Sequence, residues 1–120
     1  MEKYFLPYDL SMEFKELGFD EECIAGYYNG TNFKIETAPW VGWYKLTCLV
    51  PLISQAKKFL REKYNLLIVI DKYENPNSYG YLIYDENFTE NCGYKAYEEA
   101  ELEAIRECIK IIKNEQEKTL

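Results

Sequence analysis

With 120 residues, 48% of them apolar and 29% charged, the chain has the size and composition of one globular domain, long enough to bury roughly two-thirds of its unfolded surface without staples. A net charge of −7 weighs against nucleic acid and anionic lipid as partners, since both are gripped through Lys and Arg. No run approaches the roughly 18 apolar residues of a membrane span, and Met1-Glu2-Lys3-Tyr4 does not open like a signal peptide, so a cytoplasmic protein is expected.

The first helix is expected to open at Pro7-Tyr8-Asp9, with Asp9 capping its free N–H groups. Leu10, Phe14 and Leu17 recur on one helical face, Gly18 sits where a left-handed residue ends a helix, and Phe19 can fold back onto that face. Cys23–Tyr28 favours strand and Phe33–Thr37 alternates apolar and polar. Between them Asn29-Gly30 supplies the positive φ angles of a tight hairpin, with room for a bulge. Pro39 breaks the strand pattern and Gly42 loosens the stretch after it; Lys45–Val50 reads as a short third strand or as the approach to the next helix.

Pro51 fits a helix first turn, and Leu52, Ala56, Phe59, Leu60 and Tyr64 fall on one stripe, with Asn65 as the stop. The apolar run Leu66–Ile70 suggests a strand covered on both faces, hence central in its sheet. Asp71–Ser78 reads as a turn region and Tyr79–Asp85 as a strand, with Tyr79, Tyr81 and Ile83 on one face and Leu82 and Tyr84 on the other. Glu86–Gly93 reads as a polar loop. The last helix begins near Tyr97, with acid in its first turns and Lys110 and Lys113 in its last ones, complementing its dipole. Ile105, Cys108, Ile109 and Ile112 form its buried stripe.

The expectation is an α+β fold of order α-β-β-(β)-α-β-β-α, an antiparallel sheet of four to five strands with three helices. Residues 1–114 would form a single domain and 115–120 a polar, frayed tail.

Without a histidine, imidazole-dependent triads and most zinc sites are excluded. The four cysteines include no C-x-x-C pair and read as reduced, buried small hydrophobes. No phosphate-cradling glycine motif occurs. No catalytic residue, cofactor or metal site is therefore expected. The carboxylates Asp20-Glu21-Glu22, and Asp71 with Asp85 at two strand ends, are the remaining acids of interest, and in an acidic protein such groups are usually solvated edges.

Aromatics are the unusual feature, with 12 Tyr, 6 Phe and 2 Trp. Tyr and Trp give rigid contact area with a polar tip, so Trp40, Trp43 and Tyr44, followed by Tyr79 and Tyr81, are the candidate interaction residues. Lys57, Lys58, Arg61 and Lys63 make a basic patch on the middle helix, either solvated or matched to an acidic patch on a second copy.

Several stretches resemble an uncharacterised family of small proteins found in bacteriophages, prophages and mobile elements of gut-type bacteria. They are Tyr8-Asp9-Leu10, Lys15-Glu16-Leu17-Gly18-Phe19-Asp20-Glu21 with Cys23, Pro51-Leu52 with Gln55-Ala56, Phe59 with Arg61-Glu62-Lys63-Tyr64, and Tyr97-Glu98-Glu99-Ala100-Glu101. The resemblance implies a cellular context and no established activity. The favoured expectation is a non-enzymatic protein-interaction module with an acidic, Tyr/Trp-rich surface. The alternatives are a small-ligand or nucleotide binder with an aromatic pocket, and a structural homodimer.

Overall fold

The computed structural model describes residues 2–35, 46–74 and 77–118. The fold is α+β; among the described residues it has a short 3-10 turn Glu2–Tyr4 and three α-helices, α1 (Tyr8–Glu16), α2 (Ile53–Tyr64) and α3 (Tyr97–Lys118). The same residues contain six strands, β1 (Ala25–Tyr28), β2 (Asn32–Ile35), β3 (Leu46–Val50), β4 (Leu67–Glu74), β5 (Asn77–Tyr84) and β6 (Thr89–Tyr94). They form two antiparallel three-stranded sheets, β2-β1-β3 and β4-β5-β6, in place of one sheet of four to five strands. The chain divides into two compact units, Met1–Gln55 and Ala56–Leu120.

In the first unit, α1 begins directly after Pro7, which holds the cap position; Asp9 lies inside the first turn, where its charge meets the positive helix end, and is not the cap residue. The helix ends as its sequence requires. Gly18 has φ +88°, its N–H reaches the Lys15 carbonyl at 3.1 Å, and the Phe19 N–H reaches the Phe14 carbonyl at 2.9 Å. The Phe14 and Phe19 rings meet edge-on at 5.9 Å, the apolar contact that accompanies this cap.

Asn29 (φ 47°) and Gly30 (φ 94°) turn β1 into β2 through a three-residue loop, with Tyr28 opposite Asn32. On the other side of β1 the register slips between Tyr27 and Tyr28, leaving Thr47 as the extra residue of a bulge in β3. Freed from the ladder, Thr47 ties the unit together. Its hydroxyl accepts the Gly30 N–H at 2.8 Å, and its carbonyl accepts the Lys15 ammonium at 2.8 Å. Phe5, Ala25 and Val50 are buried at the centre of this unit, with Tyr27, Phe33, Ile35 and Leu52 packed round them.

Pro51 is not in the first turn of α2, because Leu52 first makes a bridge to Phe5 and the helix starts at Ile53. The Pro51 carbonyl accepts the Leu6 N–H at 3.0 Å. Gln55 closes the helix start: its Oε1 accepts the Leu52 N–H, and its Nε2 donates to the Glu22 carbonyl, both at 2.9 Å.

In the second unit, α2 stops at Asn65, whose φ is +57° and whose N–H bonds back to the Arg61 carbonyl. β4 is an edge strand rather than the central one, because the segment expected to be a polar loop forms β6 and pairs with the other side of β5. Leu66, the first residue of the apolar run, is buried just before the strand, whereas Leu67 is exposed. β4 and β5 run further than expected, to Glu74 and from Asn77; Asn75 and Pro76 lie outside the described residues. Gly93, at φ +100°, is the extra residue of a bulge between the pairs Gly80–Cys92 and Tyr79–Tyr94. α3 packs across all three strands. Its stripe of Ala100, Ala104, Ile105, Cys108, Ile109 and Ile112 is buried against Tyr81 and Ile83 of β5. α3 continues to Lys118, its residues 113–118 all exposed.

Candidate functional site

Trp40, Trp43 and Tyr44 lie outside the described residues. Tyr79 and Tyr81 lie on the face of the second sheet that α3 covers. Tyr81 is 4% exposed and stacks on Tyr94 with centroids 5.9 Å apart and ring planes 22° from parallel. Its hydroxyl bonds with the Tyr94 hydroxyl and the Asn91 amide, and that amide donates to the Tyr94 hydroxyl at 3.2 Å. Burial, then the nearby Tyr94 hydroxyl and Glu107, push the Tyr81 phenol up to about 12. Burial and then Glu103 also raise Tyr94. Tyr79 is half-buried, edge-on to Tyr97 at 6.1 Å, with the Lys72 ammonium 5.9 Å from its ring. These rings are engaged with neighbours inside their own unit.

The acids singled out from the sequence do not converge. Asp71 stands opposite Gly80, and Asp85 follows β5 five residues beyond it, so the two are roughly 16 Å apart along the strand, too far to share a water or a glycosidic bond. Asp85 instead accepts the Asn87 N–H at 2.8 Å. Among the described residues no three carboxylates or thiols are placed to hold a metal ion. The Glu21 and Glu22 carbonyls accept from the Cys23 thiol and the Gln55 amide.

No buried thiol is activated. Burial and Glu21 push Cys23 up to about 11, burial and Glu107 push Cys108 up to about 12, and burial raises Cys48 against the opposing charge of Lys15. A nucleophilic cysteine needs the opposite shift.

The basic patch of α2 is largely used within the chain. The Lys57 ammonium bonds the buried Glu101 carboxylate at 2.8 Å, Lys58 faces Glu62 at 4.0 Å, and Lys63 lies over the Phe59 and Tyr64 rings.

The opposite face of the second sheet is different. The β4–β5 register places Leu67 opposite Tyr84, Val69 opposite Leu82, Asp71 opposite Gly80 and Tyr73 opposite Ser78, all pointing away from α3. Glu90 and Cys92 continue this face on β6. Leu67, Tyr84 and Phe88 are 43%, 46% and 55% exposed, and the Tyr84 and Phe88 rings meet edge-on at 5.4 Å. Tyr73 lays its ring over Gly80, where a Cβ would come within 2.7 Å of it. Desolvation, then Asp71 and Glu90, which the register sets on the same face, raise the Tyr73 phenol. None of the strand positions on this face is Lys or Arg.

The sequence placed Leu82 and Tyr84 together on this face, but Phe88 fell in the expected polar loop and Leu67 in the expected core strand. The alternation of Leu67 and Val69 with Ile68 and Ile70 was too uniformly apolar to separate an exposed face from a buried one.

Two grooves remain. One, of about 350 Å³ in the first unit, is bounded by Lys15, Phe19, Leu46 and Cys48. The other, of about 450 Å³ in the second unit, lies at the end of the sheet that carries the β5–β6 loop. Among the described residues no helix is long and apolar enough to cross a membrane. The chain matches no family model, no curated protein and no solved structure.

Proposed function

We propose that this chain is a non-enzymatic protein-interaction module of the cytoplasm, in the setting of the phage and mobile-element proteins it resembles. Its docking surface is the outer face of the β4-β5-β6 sheet. The observation that carries this reading is the exposed cluster of Leu67, Tyr84 and Phe88 on a face whose only charged strand residues are Asp71 and Glu90. Solvated sheet faces ordinarily alternate polar residues outward, so an aromatic and aliphatic cluster of this kind, at the end of the sheet that carries the β5–β6 loop, marks a contact surface. The acids choose the partner: a protein with an apolar patch flanked by Lys or Arg. A second copy would bring like charges together, so self-association through this face is disfavoured, and nucleic acid is disfavoured for the same reason.

The test compares the wild type with a Tyr84→Ser/Phe88→Ser variant and an Asp71→Asn/Glu90→Gln variant. Each is immobilised in host lysate at low and moderate salt, and hydrogen exchange is read on the captured complex. The expected result is a partner whose affinity drops at least tenfold without the two rings, weakens with salt in the wild type only, and protects β4–β6 amides. Capture that ignores both variants, no capture at either salt, or dimerisation through this face in light scattering would overturn the proposal.

A further inference from the structure

The 450 Å³ groove of the second unit is within the size range of small-molecule sites, and its lining has a definite chemistry. Leu66 and Ile112, both buried, give it an apolar floor, and Ile111 adds an apolar wall. Asp85, Glu86 and Glu115 stand around it, with no Lys or Arg among its described lining residues. Asp85 is held by the Asn87 N–H at 2.8 Å, and Glu115 has a loose, exposed approach to Lys118 at 3.9 Å. Two helices bring their C-terminal ends here, α2 through Tyr64 and Asn65 and α3 through its last turns. The negative ends of both helix dipoles therefore add to the field of the three carboxylates. The carboxylates are spread and do not converge as metal ligands, so a compact metal ion is poorly served.

From this the geometry points to a binding site for an organic cation with an alkyl stem, of the amine or guanidinium class. The stem lies on Leu66, Ile111 and Ile112, and its charges meet Glu86 and Glu115. Two sources carry that chemistry, a free linear polyamine and the Lys or Arg side chain of a peptide. The groove uses none of the exposed side chains of the outer sheet face, so this site stands or falls independently of the docking surface.

Titration calorimetry on the full chain tests it with spermidine, with a short acetylated peptide carrying two arginines, and with magnesium chloride. The expected result is binding of spermidine or of the peptide, and the binding arm identifies the source. It should weaken at least tenfold in the Glu86→Gln/Glu115→Gln variant, which is about 1.4 kcal/mol. It should also weaken severalfold between ~0.05 and ~0.5 M salt. Both acids are exposed, so the variant keeps the wild-type melting curve; Ile111→Lys, which places a competing ammonium at the groove wall, must also abolish binding. No heat with either organic cation at millimolar concentration, equal affinity in the double variant, or magnesium binding as tightly as spermidine would overturn it.

Discussion

Gly80→Ala is expected to destabilise the protein although the residue has ordinary extended backbone. Gly80 sits in the middle of β5, flanked by Asp71 on β4 and Cys92 on β6. A methyl group there would stand 2.7 Å from the Asn91 carbonyl oxygen, 2.7 Å from a Tyr73 ring carbon and 2.9 Å from the Cys92 Cβ. The Tyr73 ring can swing aside, but the other two atoms are fixed to β6 and yield only if the ladder opens. Alanine restricts the unfolded chain and would on that account stabilise by about 0.4–1 kcal/mol. Overpacking against rigid atoms costs about 1–3 kcal/mol, so the clash wins and the net loss is about 1–2 kcal/mol. Urea unfolding should show a lower midpoint at unchanged m, and thermal unfolding a Tm lower by about 4 °C per kcal/mol. Adding Tyr73→Ala should not restore stability, because the Asn91 oxygen remains in the way. Gly30→Ala is the contrasting case: nothing lies within 4 Å of its Cβ position, so its cost comes from φ +94° alone and is about 1 kcal/mol. A Gly80→Ala protein as stable as the wild type would refute the reasoning.

At the helix stops, Gly18→Ala should cost about 1 kcal/mol in urea unfolding, whereas Asn65→Gly, at φ +57°, should be neutral or slightly stabilising. Lys57→Met strands the buried Glu101 carboxylate and should cost about 1–3 kcal/mol, more than Glu101→Gln, which removes the charge instead; a double-mutant cycle separates the two effects. Of the cysteines, exposed Cys92 should react quickly with a thiol reagent in the native state, and buried Cys23, Cys48 and Cys108 only on unfolding. Cys23 and Cys108 ionise near 9 when unfolded and near 11 and 12 when folded, so the stability they favour is complete below pH 9 and is lost as pH rises from 9 toward 12. A denaturation midpoint flat across that window would contradict this.

What could be read from the chain divides along a physical line. Gly18, Asn65 and Asn29-Gly30 declare turns because their φ angles depend on the residue itself, and all four took positive φ. The start and buried stripe of α3 come from contacts three or four residues apart, which a sequence displays directly, whereas its end at Lys118 lies inside the stretch expected to be a frayed tail. Thr89–Tyr94 carried no such signal: polar and glycine-containing, it became β6 only because β5 offered it a free edge. That pairing left β4 as the opposite edge and exposed Leu67. It also set Tyr81 under α3 while Tyr84, three residues away, faces outward.

The amino-acid sequence by itself therefore settled the local conformations: where α1 and α2 stop, where the first hairpin turns, which side chains share a strand face, and that no imidazole chemistry is available. Tertiary structure alone decided how the six strands of the described residues are divided between two sheets and which face of β5 is covered. It also decided which carboxylates border a groove. Strand pairing joins segments whose attraction depends on what else has already folded beside them, and alternation along a strand names two faces without saying which of them a helix will bury.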